Sequence, residues 1–215
     1  MGLNDIELKK TALLFFDILN GYYHTAEPAA KARMEPMVDN ATRLMKAGRE
    51  AGIPIFFAKG NHRSDNATSA LILTDTNNAL KPWPGSVVTR GKMHVIGDDW
   101  SSEVIPELDP RPDDYYIPKY RWSAFHQTYL DLALRARGID TVIISGGSTD
   151  VGVASTVFAG RDMDYNVIVV SDACATSHDQ RAHDLLMKLI FPRMSRVRTT
   201  DQVLRMIQET KGGTP

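Results

Sequence analysis

The chain has 215 residues, 43% of them hydrophobic, and a formal net charge of −1. That is enough for one sizeable core. It offers neither the basic surplus of a nucleic-acid binder nor the basic block of a membrane-surface protein, and no apolar run approaches the roughly 18 residues of a membrane span. The first ten residues are polar and charged, unlike a secretory leader. The one cysteine, Cys174, cannot form an internal disulfide and reads as a buried structural thiol. A reducing, cytoplasmic setting is expected from this.

In chain order, residues 11–17 form an apolar run that ends in a carboxylate. They read as a first, central strand with Asp17 at its C-terminal end, where open α/β sheets keep their ligand crevice. Residues 18–24 are aromatic and loop-like. Residues 28–51 have helical composition and stop at Gly52. Residues 54–58 are a second strand. Residues 59–114 are irregular, with Trp83 between two prolines and Trp100 further on, and read as a lid or a subunit contact. The pair His62 and Asp65 supplies two metal-type ligands, fewer than a catalytic zinc needs, so no metal is expected. Residues 103–108 read as a short helical turn.

Residues 115–119 are a third strand, ending in Lys119. A helix over 123–137 is closed by Gly138. Residues 141–145 form a β-branched strand that runs through Gly146 and Gly147 into a helix over 149–164. Such a strand–turn–helix corner aims backbone N–H groups at one point and favours negative charge there. Residues 166–171 form a strand ending at Asp172. A helix over 179–190, an edge strand over 196–198 and a helix over 200–209 complete the chain. The alternation predicts a single α/β domain over residues 1–215, a three-layer Rossmann-like parallel sheet of about six strands with helices on both faces. Asp17, Lys119 and the glycine corner then share one edge of the sheet. The glycines lack the G-x-G-x-x-G spacing of a dinucleotide site, and no cofactor is expected.

Four stretches resemble the isochorismatase-like hydrolases, also called cysteine hydrolases. They are Leu13-Leu14-Phe15-Phe16-Asp17, residues 117–125, residues 146–153 and Val170-Ser171-Asp172-Ala173. The resemblance implies a hydrolase of a small-molecule substrate and an assembly of two or four copies. In the amidase branch the catalytic set is Asp, Lys and Cys. Asp17 and Lys119 fall on the first two, and Gly152 falls where the nucleophile would be. The resemblance also implies a cis peptide between Gly147 and Ser148, with the Ser148 and Gly152 N–H groups binding an oxyanion. Gly147, Ser148, Lys59, Trp83, Trp100 and Tyr120 are candidate substrate contacts.

Without a thiolate at residue 152 there is no acyl-enzyme by the usual route. True isochorismatases, and the vinyl-ether hydrolase of phenazine biosynthesis, also carry Gly at this position and use the Asp as a general acid. Residues 112–114 and 119–125 resemble that branch. Thr149-Asp150 resembles the amidase branch instead, and a substrate-contacting Tyr and Gln of the phenazine enzyme fall at Ser148 and near Lys59. Acid-catalysed vinyl-ether hydrolysis is therefore the leading expectation. An amidohydrolase relative that has lost its thiol and a non-catalytic binding protein are the alternatives. In the leading case, the room left by the missing side chain at residue 152 is expected to belong to the substrate.

Overall fold

In a computed structural model of the chain, residues 2–65, 67–68, 95–176 and 179–212 are described. Six strands alternate with helices: β1 (Thr11–Phe16), α1 (Asn20–Tyr23), α2 (Pro28–Glu50), β2 (Ile55–Gly60), β3 (Tyr115–Lys119), α3 (Leu130–Ala136), β4 (Thr141–Gly147), α4 (Ala154–Asp162), β5 (Asn166–Ala175), α5 (Gln180–Leu185), β6 (Arg196–Arg198) and α6 (Thr200–Gly212). All six strands are parallel, in the order β3-β2-β1-β4-β5-β6. From β1 the chain builds outward through β2 and β3. It then crosses back to lay β4 on the other side of β1. The C-terminal ends of β1 and β4 are therefore the topological switch point, where sheets of this kind open a crevice.

Strand alternation sorts the core into two layers. Leu13 and Phe15 of β1 join Ile55, Phe57 and Ile143 against α2 and α6. Met37, Val38, Ala41, Leu44 and Met45 form the buried stripe of α2, at the spacing of a 3.6-residue helix. Ala12, Leu14 and Phe16 point to the opposite face, with Phe56, Ile117, Ile144 and Val169, under Leu130, Leu134, Val157 and Phe191.

The expected elements are present with several differences. Residues 18–24 contain the short α1 rather than loop alone. The expected helix over 123–137 is helical only from Leu130, because Gln127 adopts a left-handed φ of 54° and the Ala124 N–H is taken by the Thr156 hydroxyl. The helix expected from residue 149 opens with one π turn, Thr149–Val153, before α4. β5 runs on to Ala175 with a register shift opposite Gly146. Asp172 is thus inside β5, and its carboxylate accepts from the Thr200 N–H and hydroxyl at the start of α6. Two short 3-10 turns, Trp100–Ser102 and Pro106–Leu108, lie in the described part of the irregular segment. The rest of the proposed lid or contact segment lies outside the described residues. Among the described residues no helix is long and apolar enough to cross a membrane.

The switch point depends on a close approach. Gly146 has φ 118°, and a Cβ there would lie 2.1 Å from the Phe16 carbonyl oxygen. Gly146→Ala should combine backbone strain with overpacking and cost about 3 kcal/mol or more. The expected reading is a drop in Tm of roughly 6–12 °C for a chain of this size. A drop of under ~2 °C would show that β1 and β4 do not meet this closely.

Candidate active site

Asp17 follows β1 with a left-handed φ of 49°, a conformation in which Asp is enriched. That turn breaks the strand alternation and brings the carboxylate across the end of β2. One oxygen, Oδ1, accepts from the Gly60 N–H at 2.8 Å. The other, Oδ2, meets Lys119 Nζ at 2.6 Å. Lys119 comes from the end of β3, is 7% exposed, and has its ammonium 4.6 Å from the centre of the Phe16 ring. A partly buried carboxylate and a buried ammonium are therefore matched to each other, with an N–H and an aromatic face taking up the remaining valences.

The corner after β4 completes the site. The Gly147–Ser148 peptide is cis. The Ser148 hydroxyl donates to Asp150 Oδ1 at 2.5 Å, and the Thr176 hydroxyl donates to the same oxygen at 2.7 Å. The buried Thr149 hydroxyl pairs with His183 Nδ1 at 2.9 Å. The Gly152 carbonyl accepts from the Thr156 hydroxyl at 2.7 Å. These bonds fix the turn of backbone that faces Asp17.

A cleft of about 1270 Å³ opens here, and its lining includes Asp17, Lys119, Tyr120, Gly147, Ser148 and Gly152. The structure thus brings six of the expected site residues together. Lys59 and Trp100 are not among the described lining. Alternation along β2 sends Lys59 to the opposite face of the sheet, near Asp98 and Glu103, where burial lowers its pKa. Trp100 packs 6.4 Å from His24 on the outside of α1. Trp83 lies outside the described residues.

The expected room at residue 152 is corrected. A Cβ on Gly152 would lie 2.1 Å from Phe16 Cε1 and 2.4 Å from Cζ. The space is filled by the protein's own phenyl ring. Cys174 sits in β5, buried in the core layer of α3 and α4, with its thiol directed to the Ile144 carbonyl. Burial pushes its pKa up to about 12, so it is held as a thiol.

The sequence did not single out Phe16, Tyr22, Arg121 or His126, and it weighed His62 only as a metal ligand. Phe16 was legible in principle as the neighbour of Asp17 on the strand. The others depend on how α1 and two loops are placed around the cleft. His62 lines the cleft with its ring edge-on to Tyr120, whose hydroxyl accepts from Asn61. Asp65 turns away from His62. The Arg63 guanidinium and the Ala67 N–H hold its pKa down at about 2. Tyr22 reaches in toward Asp17, and burial together with that carboxylate keeps its phenol protonated well above the usual range. With Asp17 and Lys119 matched, the lining also holds Arg33, Arg121 and Glu27, a small positive surplus.

The sequence profile of the isochorismatase domain matches residues 11–202. The chain belongs to the isochorismatase family. This family member is 31% identical over 208 residues to the isochorismatase family protein YwoC of Bacillus subtilis, covering 97% of this chain and 100% of that one. It is 32% identical over 174 residues to the ureidoacrylate amidohydrolase RutB of Acinetobacter baylyi, covering 77% of this chain and 71% of that one. Among solved structures, an isochorismatase family protein from Burkholderia thailandensis superposes with a TM-score of 0.77 at 28% identity, over 95% of this chain and 98% of that chain. The protein is a hydrolase with the α/β fold of that family.

Burial lowers the pKa of both His62 and His183, and the Lys119 charge adds to the effect at His62. Both are then neutral when folded and take up a proton on unfolding. Their contribution to stability is complete above the unfolded value of about 6.5 and is lost as pH falls through the lower folded values. Thermal unfolding between pH 7.5 and 5 should show Tm falling on the acid side. The variant His62→Gln/His183→Gln should fall less steeply over the same window. An identical slope in both proteins would contradict the assignment.

Proposed function

We propose that this family member hydrolyses a small anionic substrate through Asp17, without a covalent enzyme intermediate, and that vinyl-ether hydrolysis of the isochorismatase type is the reaction. The observation that carries this is the pairing of Asp17 with Lys119 beside a residue 152 that has no side chain and no room for one. In this chemistry Asp17 first takes up a proton from solvent as the substrate binds, and then delivers it to the terminal vinyl carbon. The Lys119 ammonium offsets the carboxylate charge left behind. Water adds to the oxocarbenium carbon and returns a proton to Asp17. The hemiketal then collapses to a ketone and an alcohol, so proton and water balance without any acyl-enzyme. The Ser148 and Gly152 N–H groups face the substrate's anionic or developing oxyanion end, where fixed donors act most strongly. Arg33 and Arg121 make the cleft favour an anion.

A second reading, hydrolysis of a C–N bond, is favoured by the likeness to a ureidoacrylate amidohydrolase. In it Asp17 works as the base for a water molecule that attacks the carbonyl directly. Both readings dispense with a thiol.

The test is turnover of isochorismate, simpler vinyl ethers and a set of ureido acids and amides by the wild type and by Asp17→Asn. We expect Asp17→Asn to lose ~10²–10⁴ in kcat on the substrate that is turned over, the usual effect of deleting a positioned acid or base. Iodoacetamide should leave the wild-type rate unchanged. Release of a keto acid selects the vinyl-ether reading, and ammonia or an amine selects the second. An Asp17→Asn rate within threefold of wild type, or full inhibition by iodoacetamide, would overturn both.

A further inference from the structure

The ring of Phe16 has a place in the site that its part in the core does not account for. Phe16 is the last residue of β1 and is fully buried. Its backbone is clamped by β4, since Gly146 packs directly on its N–H and carbonyl. The side chain therefore has little freedom to move as a unit with the strand. Two observations converge on the ring. Its Cε1–Cζ edge lies where the side chain of any residue at 152 would begin, at 2.1 and 2.4 Å from an ideal Cβ. Its face lies 4.6 Å from the ammonium that pairs with Asp17. Contacts under 3.0 Å with a ring are not relieved by a small adjustment, because an aromatic side chain has two torsions and the interior is close-packed.

We infer that Phe16 is a positioning residue of this site, an aromatic floor that carries the Lys119 ammonium and closes residue 152 to any side chain. The ring and Gly152 form a matched pair. A side chain at residue 152 is costly while Phe16 is present, and Lys119 is aimed from below by the same ring. This deepens the reading of the site as one that works without a thiol, and it rests on that reading for the meaning of position 152. Its main test does not depend on turnover.

Four proteins are compared by thermal unfolding: wild type, Gly152→Cys, Phe16→Ala, and Phe16→Ala/Gly152→Cys. In the Phe16 background Gly152→Cys should lower Tm by roughly 4–10 °C, the usual effect of overpacking in a chain of this size. In the Phe16→Ala background the same change should be neutral within ~2 °C or raise Tm, because the thiol enters the space the ring has left. Equal drops in both backgrounds would overturn the inference. If Phe16→Ala proves too unstable to measure, Phe16→Val takes its place and Gly152→Ala serves as the smaller probe.

Alkylation gives a second reading. The introduced thiol in the double variant should react with iodoacetamide with an apparent pKa below the ~8.5 of an ordinary cysteine, and Lys119→Met should remove that shift. An ordinary profile, unchanged by Lys119→Met, would place residue 152 out of reach of the pair. For the ammonium, Phe16→Leu keeps the bulk and removes the aromatic face. On the substrate the enzyme turns over, it should lower kcat about 3–30-fold with KM within twofold, the range of a desolvated cation–π contact. Wild-type kcat in Phe16→Leu would reduce the ring to a filler. Failure of every substrate assay would count against the proposed reaction and leave the unfolding and alkylation outcomes to decide this inference.

Discussion

Everything at this site depends on bringing one carboxylate and one ammonium together from strands that are not neighbours. Asp17 ends β1 and Lys119 ends β3, with β2 between them. Strands sit about 4.8 Å apart, so the two backbones are separated by roughly 10 Å. The left-handed turn at Asp17 covers part of that gap and the four-carbon arm of Lys119 covers the rest. The end of β2 lies beneath the bridge and contributes the Gly60 N–H to it. A lysine is suited to this span, since its charge is compact and carried on a long flexible stem. The cost of burying both charges is met by their mutual contact at 2.6 Å and by the aromatic face under the nitrogen.

The chemistry follows from what surrounds that pair. On one side is a cleft with a modest positive surplus, on another the corner after β4, tied down by the Ser148–Asp150–Thr176 and Thr149–His183 hydrogen bonds. Beneath is the Phe16 ring, in the space that any side chain at residue 152 would need. A carboxylate beside an ammonium, in a pocket with fixed N–H donors, can move a proton and hold an oxyanion. The chain's one thiol, Cys174, is buried in the core and does not line this cleft.

Much of this was legible in the sequence, and for identifiable reasons. The β-branched and aromatic runs at residues 11–16 and 141–144 could only be buried parallel strands, and the crossover pattern then placed Asp17 and the Gly146–Gly147 corner at the same edge. The helix over 28–51 was legible from its composition and the Gly52 that ends it, and the structure places it at Pro28–Glu50. Three things were not legible. The start of α3 was obscured because residues 123–129 have helical composition, while a left-handed Gln127 and the Thr156 hydroxyl bind them otherwise. The direction of Lys59 depended on strand register, which reverses face with each residue. The closure of residue 152 by Phe16 depended on the distance between two elements that are 136 positions apart in sequence, and no local pattern carries that distance. A glycine at residue 152 looks like vacant room until the neighbouring strand is built.

The central claim is that Asp17 moves a proton and forms no bond to the substrate. The most direct measurement is a single turnover in H₂¹⁸O with enzyme in excess, followed by mass analysis of the peptides containing Asp17 and Cys174. The account predicts ¹⁸O only in the product, with both peptides at their ordinary masses. Incorporation of ¹⁸O into the Asp17 carboxylate, or a substrate-derived adduct on Cys174, would contradict it.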